Sequence, residues 1–442
     1  MDFVAWHVVI AGGGFGGLQA ARTLEKALPH NSARITLVND VNFMLYTPLL
    51  PGAAAGTLEP RHVVVPLREQ LKRTDLRLGT VLGADPAARC LTVRSHEGHE
   101  ESIHYDALIV ALGSVSRTLP IPGLAEHGRG FKTLPDAIAL RNRVIGCLEA
   151  AETLEDPEAR AAWLTFVFVG AGYAGLEGAA ELQDFAADIL DLYPRCRTQG
   201  VRFVLVDAAD RVMGEIPEPL ARFATDELRG RGMEIRTSTT LDEVTATSAT
   251  LSGGETIPTR TVVWTAGVKP HPVVARLGLP LDRGGRIVTG RDLAVEGVPG
   301  VWAIGDAAAV PDPAKRYKQP TPPTAQHAIR QGRRVAGNVA ATLGRGRVRP
   351  FRYRTLGVFV DMGRGEAVAQ TLFVKWRGVP AWWLARTYHV AMMPSLRRKL
   401  RLLTDWNVGL LFGRDTAELG QLGHPAPLDG DTLEQRSSGG TS

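Results

Sequence analysis

An apolar run over His7–Ile10 breaks into glycines, Leu18–Leu28 has the spacing of an amphipathic helix, and Arg34–Val38 is apolar again. This order predicts a βαβ unit. It recurs near the middle of the chain. Leu164–Val169 is a short apolar run, Gly170–Gly175 a glycine turn, the stretch from Leu176 a helix and Val201–Val206 the next strand. A supersecondary unit that occurs twice predicts two domains of like architecture rather than a short solenoid repeat. Asp106–Val110, Thr261–Trp264 and Val301–Ile304 read as further short buried strands. Pro120–Gly123 reads as a linker and the proline-rich, polar Val310–Pro323 as a surface loop. From His424 on, glycine, proline, serine and charge predict disorder.

The glycines at the two breaks carry the first chemistry. Gly12, Gly14 and Gly17 match G-x-G-x-x-G after a strand and at the opening of a helix. In that context the first glycine permits a tight turn. The second lets backbone approach a pyrophosphate, and the third brings helix against strand. The phosphates would sit at the helix N-terminus. An acid normally follows the next strand to hold the adenosine ribose. Here Asn39 and then Asp40 stand there, and either is a candidate. The second match is Gly170, Gly172 and Gly175, with Asp207 directly after its strand. The long gap before Asp207 predicts an extended helix or loop around Asp188–Gly200. Asp207 would repel a 2′-phosphate and favours NADH over NADPH, although Arg211 lies close enough in sequence to offset it.

Composition narrows the class. At 442 residues the chain is long enough for two or three domains. The formal net charge of +5 admits anionic cofactors, nucleic acid or an anionic membrane as partners. Nucleic acid is disfavoured, because no recognised module appears and the basic residues concentrate in an apolar-interleaved tail. Cys90, Cys147 and Cys196 have no CxxC or CxxxxC spacing, so neither a disulfide framework, a zinc site nor a redox dithiol is expected. No metal is expected. The N-terminus lacks the pattern of a signal peptide. No apolar run reaches the ~18 residues of a spanning helix.

With both fingerprints in place, the chain resembles the two-dinucleotide-binding-domain flavoproteins. Ala111-Leu112-Gly113-Ser114 is similar to their first crossover, and Trp264-Thr265-Ala266-Gly267-Val268 to the return. Val301 through Ala308 is similar to their second FAD motif, in which Asp306 would bind a ribityl hydroxyl. Capping of the next helix is its structural alternative. Within that group the chain resembles the type II NADH:quinone oxidoreductases. The residues that carry this are Leu45-Tyr46-Thr47-Pro48-Leu49-Leu50 with Ala55-Gly56-Thr57-Leu58, Glu177 after the second fingerprint, and Pro323-Thr324-Ala325-Gln326-His327-Ala328. Two positions depart from the family pattern. Asn39 replaces the usual acid, and Arg330 replaces the last glutamine of AQxAxQ, with Gln331 beside it.

The resemblance implies an α/β, glutathione-reductase-like fold of two Rossmann-like domains plus a C-terminal membrane-associating helical segment. It implies an FAD domain over 1–115 and 290–345, an NAD(H) domain over 116–289, a C-terminal region for membrane anchoring or dimerisation over 346–423, and a tail over 424–442. FAD would be held by Gly12, Gly14, Phe15, Gly17, Asn39 or Asp40, Thr47, Val81, Ala111, Gly113, Asp306, Ala325 and Gln326. NADH would be held by Gly170, Gly172, Gly175, Asp207 and Gly267. Hydride would pass from NADH to the flavin and two electrons onward to a quinone, menaquinone in the first instance, without proton pumping. Glu177, Gln326 and Arg330 would serve the chemistry, and His327 would line the acceptor site beside Arg330. The alternatives are a soluble NAD(P)H-dependent flavin reductase acting on a protein such as ferredoxin, or a redox-sensing flavoprotein.

After Pro350 the pattern changes. Val379–Phe412 mixes Trp382, Trp383, Tyr388, Met392, Met393 and many leucines with Arg386, Arg397, Arg398, Lys399 and Arg401. Asp405 is the only acid in that stretch. Such a mix suits an interfacial helix on an anionic membrane, a dimer interface, or both. Pro394 should divide it in two. The resulting expectation is a peripheral protein on the cytoplasmic side of the cell membrane.

Overall fold

The computed structural model describes residues 6–312, 319–355 and 357–418. The expected disordered tail over 424–442, and residues 313–318 of the expected proline-rich loop, lie outside them.

Each fingerprint strand sits third from one edge of its sheet. In the first sheet the order is Val301–Ala303, Ala107–Val110, Trp6–Ala11, Ala33–Asn39, Asp75–Asp85, Cys90–Ser95 and Glu100–His104. Its first five strands are parallel and its last two antiparallel. In the second the order is Gly128–Gly130, Thr261–Trp264, Thr165–Val169, Arg202–Val206 and Glu234–Arg236, all parallel. The five parallel strands of the two sheets correspond one for one, which is the duplication read from the apolar runs. Parallel strands are covered on both faces. Accordingly Val8–Ala11 and Thr165–Val169 are buried throughout.

The first dinucleotide helix spans Phe15–Ala27 and the second Tyr173–Ile189. The long gap before Asp207 is filled by a 3₁₀ turn over Leu190–Leu192 and a short helix over Pro194–Gln199. Two antiparallel strands, Ser114–Ser116 and Val268–Pro270, form the double crossover between the sheets. Beyond the return strand the chain rejoins the first core. Val273, Val274, Leu277 and Ile287 pack there, ahead of the boundary expected at 290.

The C-terminal region holds the two expected helices, Gly378–Met392 and Leu396–Leu411, parted at Pro394. It also holds an unforeseen antiparallel sheet of Gly357–Asp361, Ala367–Thr371 and Val374–Arg377. No described helix is long and apolar enough to cross a membrane. The last helix docks by one face. Leu402 is fully buried, Asp405 pairs with His62 at 2.7 Å, and Arg398 donates to the Arg61 carbonyl. Its other face leaves Leu396, Leu400, Leu410 and Leu411 exposed.

Candidate active site

The glycines of the first fingerprint divide by what surrounds them. Gly12 has φ +105°, and a Cβ there would lie 2.3 Å from the Ala111 carbonyl oxygen. At Gly17 a Cβ would lie 1.8 Å from the Gly12 oxygen. Both positions are closed by the protein's own backbone. At Gly14 an added Cβ meets nothing within 4 Å, so that glycine faces an open cradle. Gly14 is also the N-cap of the first dinucleotide helix and offers no side-chain cap. The leading N–H groups are therefore free to meet an anion. Phe15 opens the helix beside this cradle.

The second fingerprint repeats the division. Gly170 has φ +107° with the Ala266 nitrogen 2.7 Å from its would-be Cβ, Gly175 presses on the Gly170 oxygen, and Gly172 is open. The residues at the following strand ends also correspond. Asn39 Oδ1 accepts from the Gly13 N–H at 2.7 Å, and an Asp207 carboxylate oxygen accepts from the Ala171 N–H at 2.5 Å. Each pins the residue after the first glycine of its loop. Asn39 thus holds the place of the acid, while Asp40 is exposed beyond it. Arg211 is engaged elsewhere, donating to the Ile216 carbonyl at 3.1 Å and the Gly214 carbonyl at 2.6 Å.

Gly113 and Gly267 both have positive φ, 69° and 89°, and immediately precede the two crossover strands. Ala111 donates to the Ala11 carbonyl at 2.7 Å and so backs the Gly12 turn. Asp306 sits in a single 3₁₀ turn over Gly305–Ala307, not at a helix start, and does not cap it. Its carboxylate accepts from Ser114 Oγ at 2.6 Å, and Ser114 Oγ accepts from Lys132 Nζ at 3.0 Å. Burial lowers the Lys132 pKa, and Asp306 opposes that. Gln331 steadies this turn by accepting from the Gly305 N–H at 2.7 Å. Thr47 opens the 3₁₀ turn after buried Tyr46. Val81 is a core side chain, so only its backbone is available to a ligand. Ala325 is the first residue of helix Ala325–Thr342, capped by Thr324. The two open cradles fit the pyrophosphates of two dinucleotides, and the Asp306 turn fits a hydroxylated linker.

Glu177 lies in the second turn of its helix, past the first-turn position where charge would merely suit the dipole. Its Oε1 accepts from the Asp361 N–H at 2.9 Å. Burial raises its pKa well above the carboxylate range. Glu181 and Asp361 are raised as well, again by burial. Arg386 faces both, held between Trp382 at 3.7 Å and Trp406 at 4.7 Å from the ring centres. Asp361 and Arg386 belong to the C-terminal region, so that region completes the charged cluster beside Glu177.

A model of the family "Pyridine nucleotide-disulphide oxidoreductase" matches residues 6–332. A type II NADH:quinone oxidoreductase Ndh of Mycobacterium tuberculosis is 32% identical, over 92% of this chain and 89% of its own. A probable NADH dehydrogenase of Dictyostelium discoideum is 30% identical over 92% and 90%. The solved NDH2 of Plasmodium falciparum in complex with NADH shares the fold, with TM-score 0.86 at 17% identity over 93% of this chain and 99% of its own. The chain belongs to the type II NADH:quinone oxidoreductases, within the pyridine nucleotide-disulphide oxidoreductase family.

This type II NADH:quinone oxidoreductase holds no dithiol among its described residues. Cys90, Cys147 and Cys196 are all free and buried. Burial pushes the Cys196 thiol up to about 12, far from a reactive thiolate. The family's cofactors, FAD and NADH, fit the two cradles.

The sequence-predicted acceptor residues gather beside the C-terminal region. Gln326 accepts from Tyr353 Oη at 2.6 Å and donates to the Gly357 carbonyl at 3.1 Å. The Arg330 guanidinium lies 4.1 Å from the Tyr353 ring centre. His327 is buried, its ring edge-on to Tyr353 and its Nδ1 2.7 Å from Thr324 Oγ1. Thr324, the cap of this helix, also accepts from the His327 backbone N–H. An aromatic wall runs on from here: Phe359 stacks on Tyr388, Tyr388 meets His389, His389 meets Tyr46, and Tyr46 meets Phe15. Burial lowers the His389 pKa to about 4, so that ring is neutral at ordinary pH. Sequence reasoning missed Lys132, Asp361, Tyr353 and His389. Each is distant in sequence from the motif that it joins.

Proposed function

We infer that this protein oxidises NADH and delivers the two electrons through FAD to a quinone, without pumping protons. The observation that carries the reading is the pairing of two open dinucleotide cradles with an aromatic wall supplied partly by the C-terminal region. Bound FAD supplies the two-electron chemistry, accepting hydride from a nicotinamide and yielding electrons to a quinone.

The chain's own residues bind, orient and manage protons. Gly12, Gly14, Phe15 and Gly17 with Asn39 hold the adenine half of FAD at the first helix, supported by Thr47, Val81, Ala111, Gly113, Ala325 and Gln326. Asp306, with Ser114 and Lys132 behind it, holds the ribityl hydroxyls. Gly170, Gly172 and Gly175 hold the pyrophosphate of NADH, and Gly267 keeps the return crossover clear. Asp207 selects NADH by repelling a 2′-phosphate, and Arg211, tied into its own loop, leaves that repulsion unopposed. Burial raises the Glu177 pKa, which suits this carboxyl to holding a proton close to the reacting region. Gln326 and Arg330 present hydrogen-bond donors to the quinone head, against the wall of Tyr46, Tyr388 and His389.

The exposed leucines of Leu396–Leu411, with Arg397 and Arg401 beside them, suit the interface of an anionic membrane. We place the protein peripherally, on the cytoplasmic face, with a second copy of the chain as a further partner for the exposed C-terminal surface. The test is NADH oxidation by FAD-loaded protein with a short-chain menaquinone analogue, ferredoxin and oxygen as separate acceptors. Turnover with the quinone well above the other two is expected. Turnover with ferredoxin alone would overturn the reading.

A further inference from the structure

A cleft of about 530 Å³ lies between the first dinucleotide helix, helix Ala325–Thr342 and the turn that joins the two C-terminal helices. Its apolar side is formed by Leu18, Met44, Ile329, Met392 and Met393, and it ends on Phe15 and Tyr46, the near end of the aromatic wall. Its polar side carries four cations, Arg22, Lys26, Arg333 and Lys399, and no carboxylate. These cations come from three separate elements. None of them takes part in an ion pair among the described residues, whereas Arg34, Arg94 and Arg236 on other surfaces are each paired with an acid.

The cations do not serve the pyrophosphate cradle. Arg22 lies eight residues beyond Gly14, which is about 12 Å along the helix axis, and Lys26 lies a further turn away. Four like charges around one cleft repel one another until an anion enters. The apolar side of the same cleft asks for hydrocarbon. It adjoins the helix that leaves Leu396 and Leu400 exposed. Charge and apolar surface together describe an amphiphile with an anionic head.

We propose that this cleft binds the phosphodiester headgroup of an anionic glycerophospholipid. Arg22 and Arg333 pair with the phosphate, Lys26 and Lys399 complete the rim, and an acyl chain lies along Met392 and Met393. Lys399 already donates to the Ala391 carbonyl at 3.0 Å, which holds its ammonium at the cleft mouth. The site rests on the reading of the C-terminal helices as a membrane-facing surface. It adds to that reading a fixed address for one lipid.

The test uses the full-length, FAD-loaded protein and sedimentation with two kinds of vesicle, phosphatidylcholine alone and phosphatidylcholine mixed with phosphatidylglycerol. The double variant Arg22→Gln/Arg333→Gln is compared with Arg397→Gln/Arg401→Gln, which removes equal charge from the exposed face of the last helix. Flavin content and melting temperature confirm that both variants fold. Wild-type protein should prefer the phosphatidylglycerol vesicles. The cleft variant should lose roughly tenfold more affinity for them than the control, beyond the general attraction that each surface cation contributes. Equal losses in the two variants would overturn the site while leaving the membrane reading intact, as would equal binding of wild type to both vesicles. Absence of binding to either vesicle would remove the membrane reading and the site with it. Protection of the cleft by inorganic phosphate alone, measured as a rise in melting temperature without vesicle preference, would reassign it to a soluble anion and overturn the proposal.

Discussion

The backbone N–H of Asp361 donates to Glu177 Oε1 at 2.9 Å, joining the C-terminal sheet to the second dinucleotide helix. A carboxyl held there by burial is protonated when an ordinary glutamate is charged. Its proton is available below its raised pKa and lost as pH climbs through it. Turnover with quinone should therefore fall as pH rises through that value. Glu177→Gln keeps the accepting oxygen and removes the proton donor. It should lower steady-state turnover by roughly 10²-fold or more and flatten the alkaline limb of the pH profile. Flavin reduction by NADH in a single turnover should change little. An unchanged pH profile in the variant would remove Glu177 from proton management.

The fingerprint glycines give a prediction that separates folding from binding. Gly14 and Gly172 have open space where a Cβ would go, whereas at Gly17 a Cβ would lie 1.8 Å from the Gly12 oxygen. Gly17→Ala should destabilise the protein itself, by roughly 1–3 kcal/mol or more. Gly14→Ala should leave the melting temperature of the apoprotein near wild type yet lower FAD retention. Gly172→Ala should keep FAD and raise the KM for NADH. Flavin content, apoprotein melting and NADH titration read the three outcomes.

Asp207 is expected to carry the coenzyme preference. Asp207→Asn retains an acceptor for the Ala171 N–H, as Asn39 does in the first cradle, and deletes the charge. Discrimination against NADPH should drop roughly tenfold, the effect of removing one like-charge contact at a partly exposed site. The ratio of kcat/KM for the two coenzymes measures it.

His389 titrates near 4 in the folded protein and near 6.5 when exposed. Between those values the unfolded chain binds the proton and the folded one does not. Its contribution is thus intact above pH 6.5 and is lost as pH falls toward 4. The loss is at most about 3 kcal/mol, at 1.36 kcal/mol per pKa unit. His389→Phe removes this term and also the contact of the ring with Tyr46 Oη at 3.4 Å. The variant should be the less stable protein at pH 7, and the gap should narrow at pH 5. Thermal melts across that range check the slope.

Much of the fold was legible because its signals are local. The glycine spacings, the apolar runs before them and the crossover segments each lie within a few residues of one another, and all formed the elements that they predicted. Pro394 parted the tail helices for a similarly local reason. The different settings of Asn39 and Asp40 needed the structure, since either can follow the strand and Asn39 is the one that accepts from the Gly13 N–H. The site around Glu177 was out of reach of local patterns. Asp361 and Arg386 approach it only because a small sheet, unmarked by any motif, packs against the second domain. The burial of His327 against Thr324 and Tyr353 was likewise unmarked, since Tyr353 lies well beyond its motif in sequence.

The most direct test of NADH-to-quinone transfer is a double-mixing experiment that follows the absorbance of oxidised flavin. FAD-loaded protein is first mixed with one equivalent of NADH and then with a short-chain menaquinone analogue under argon. The band should bleach on the first mix and return on the second, at a rate that supports steady-state turnover. A band that bleaches but returns only on addition of ferredoxin or oxygen would contradict the account.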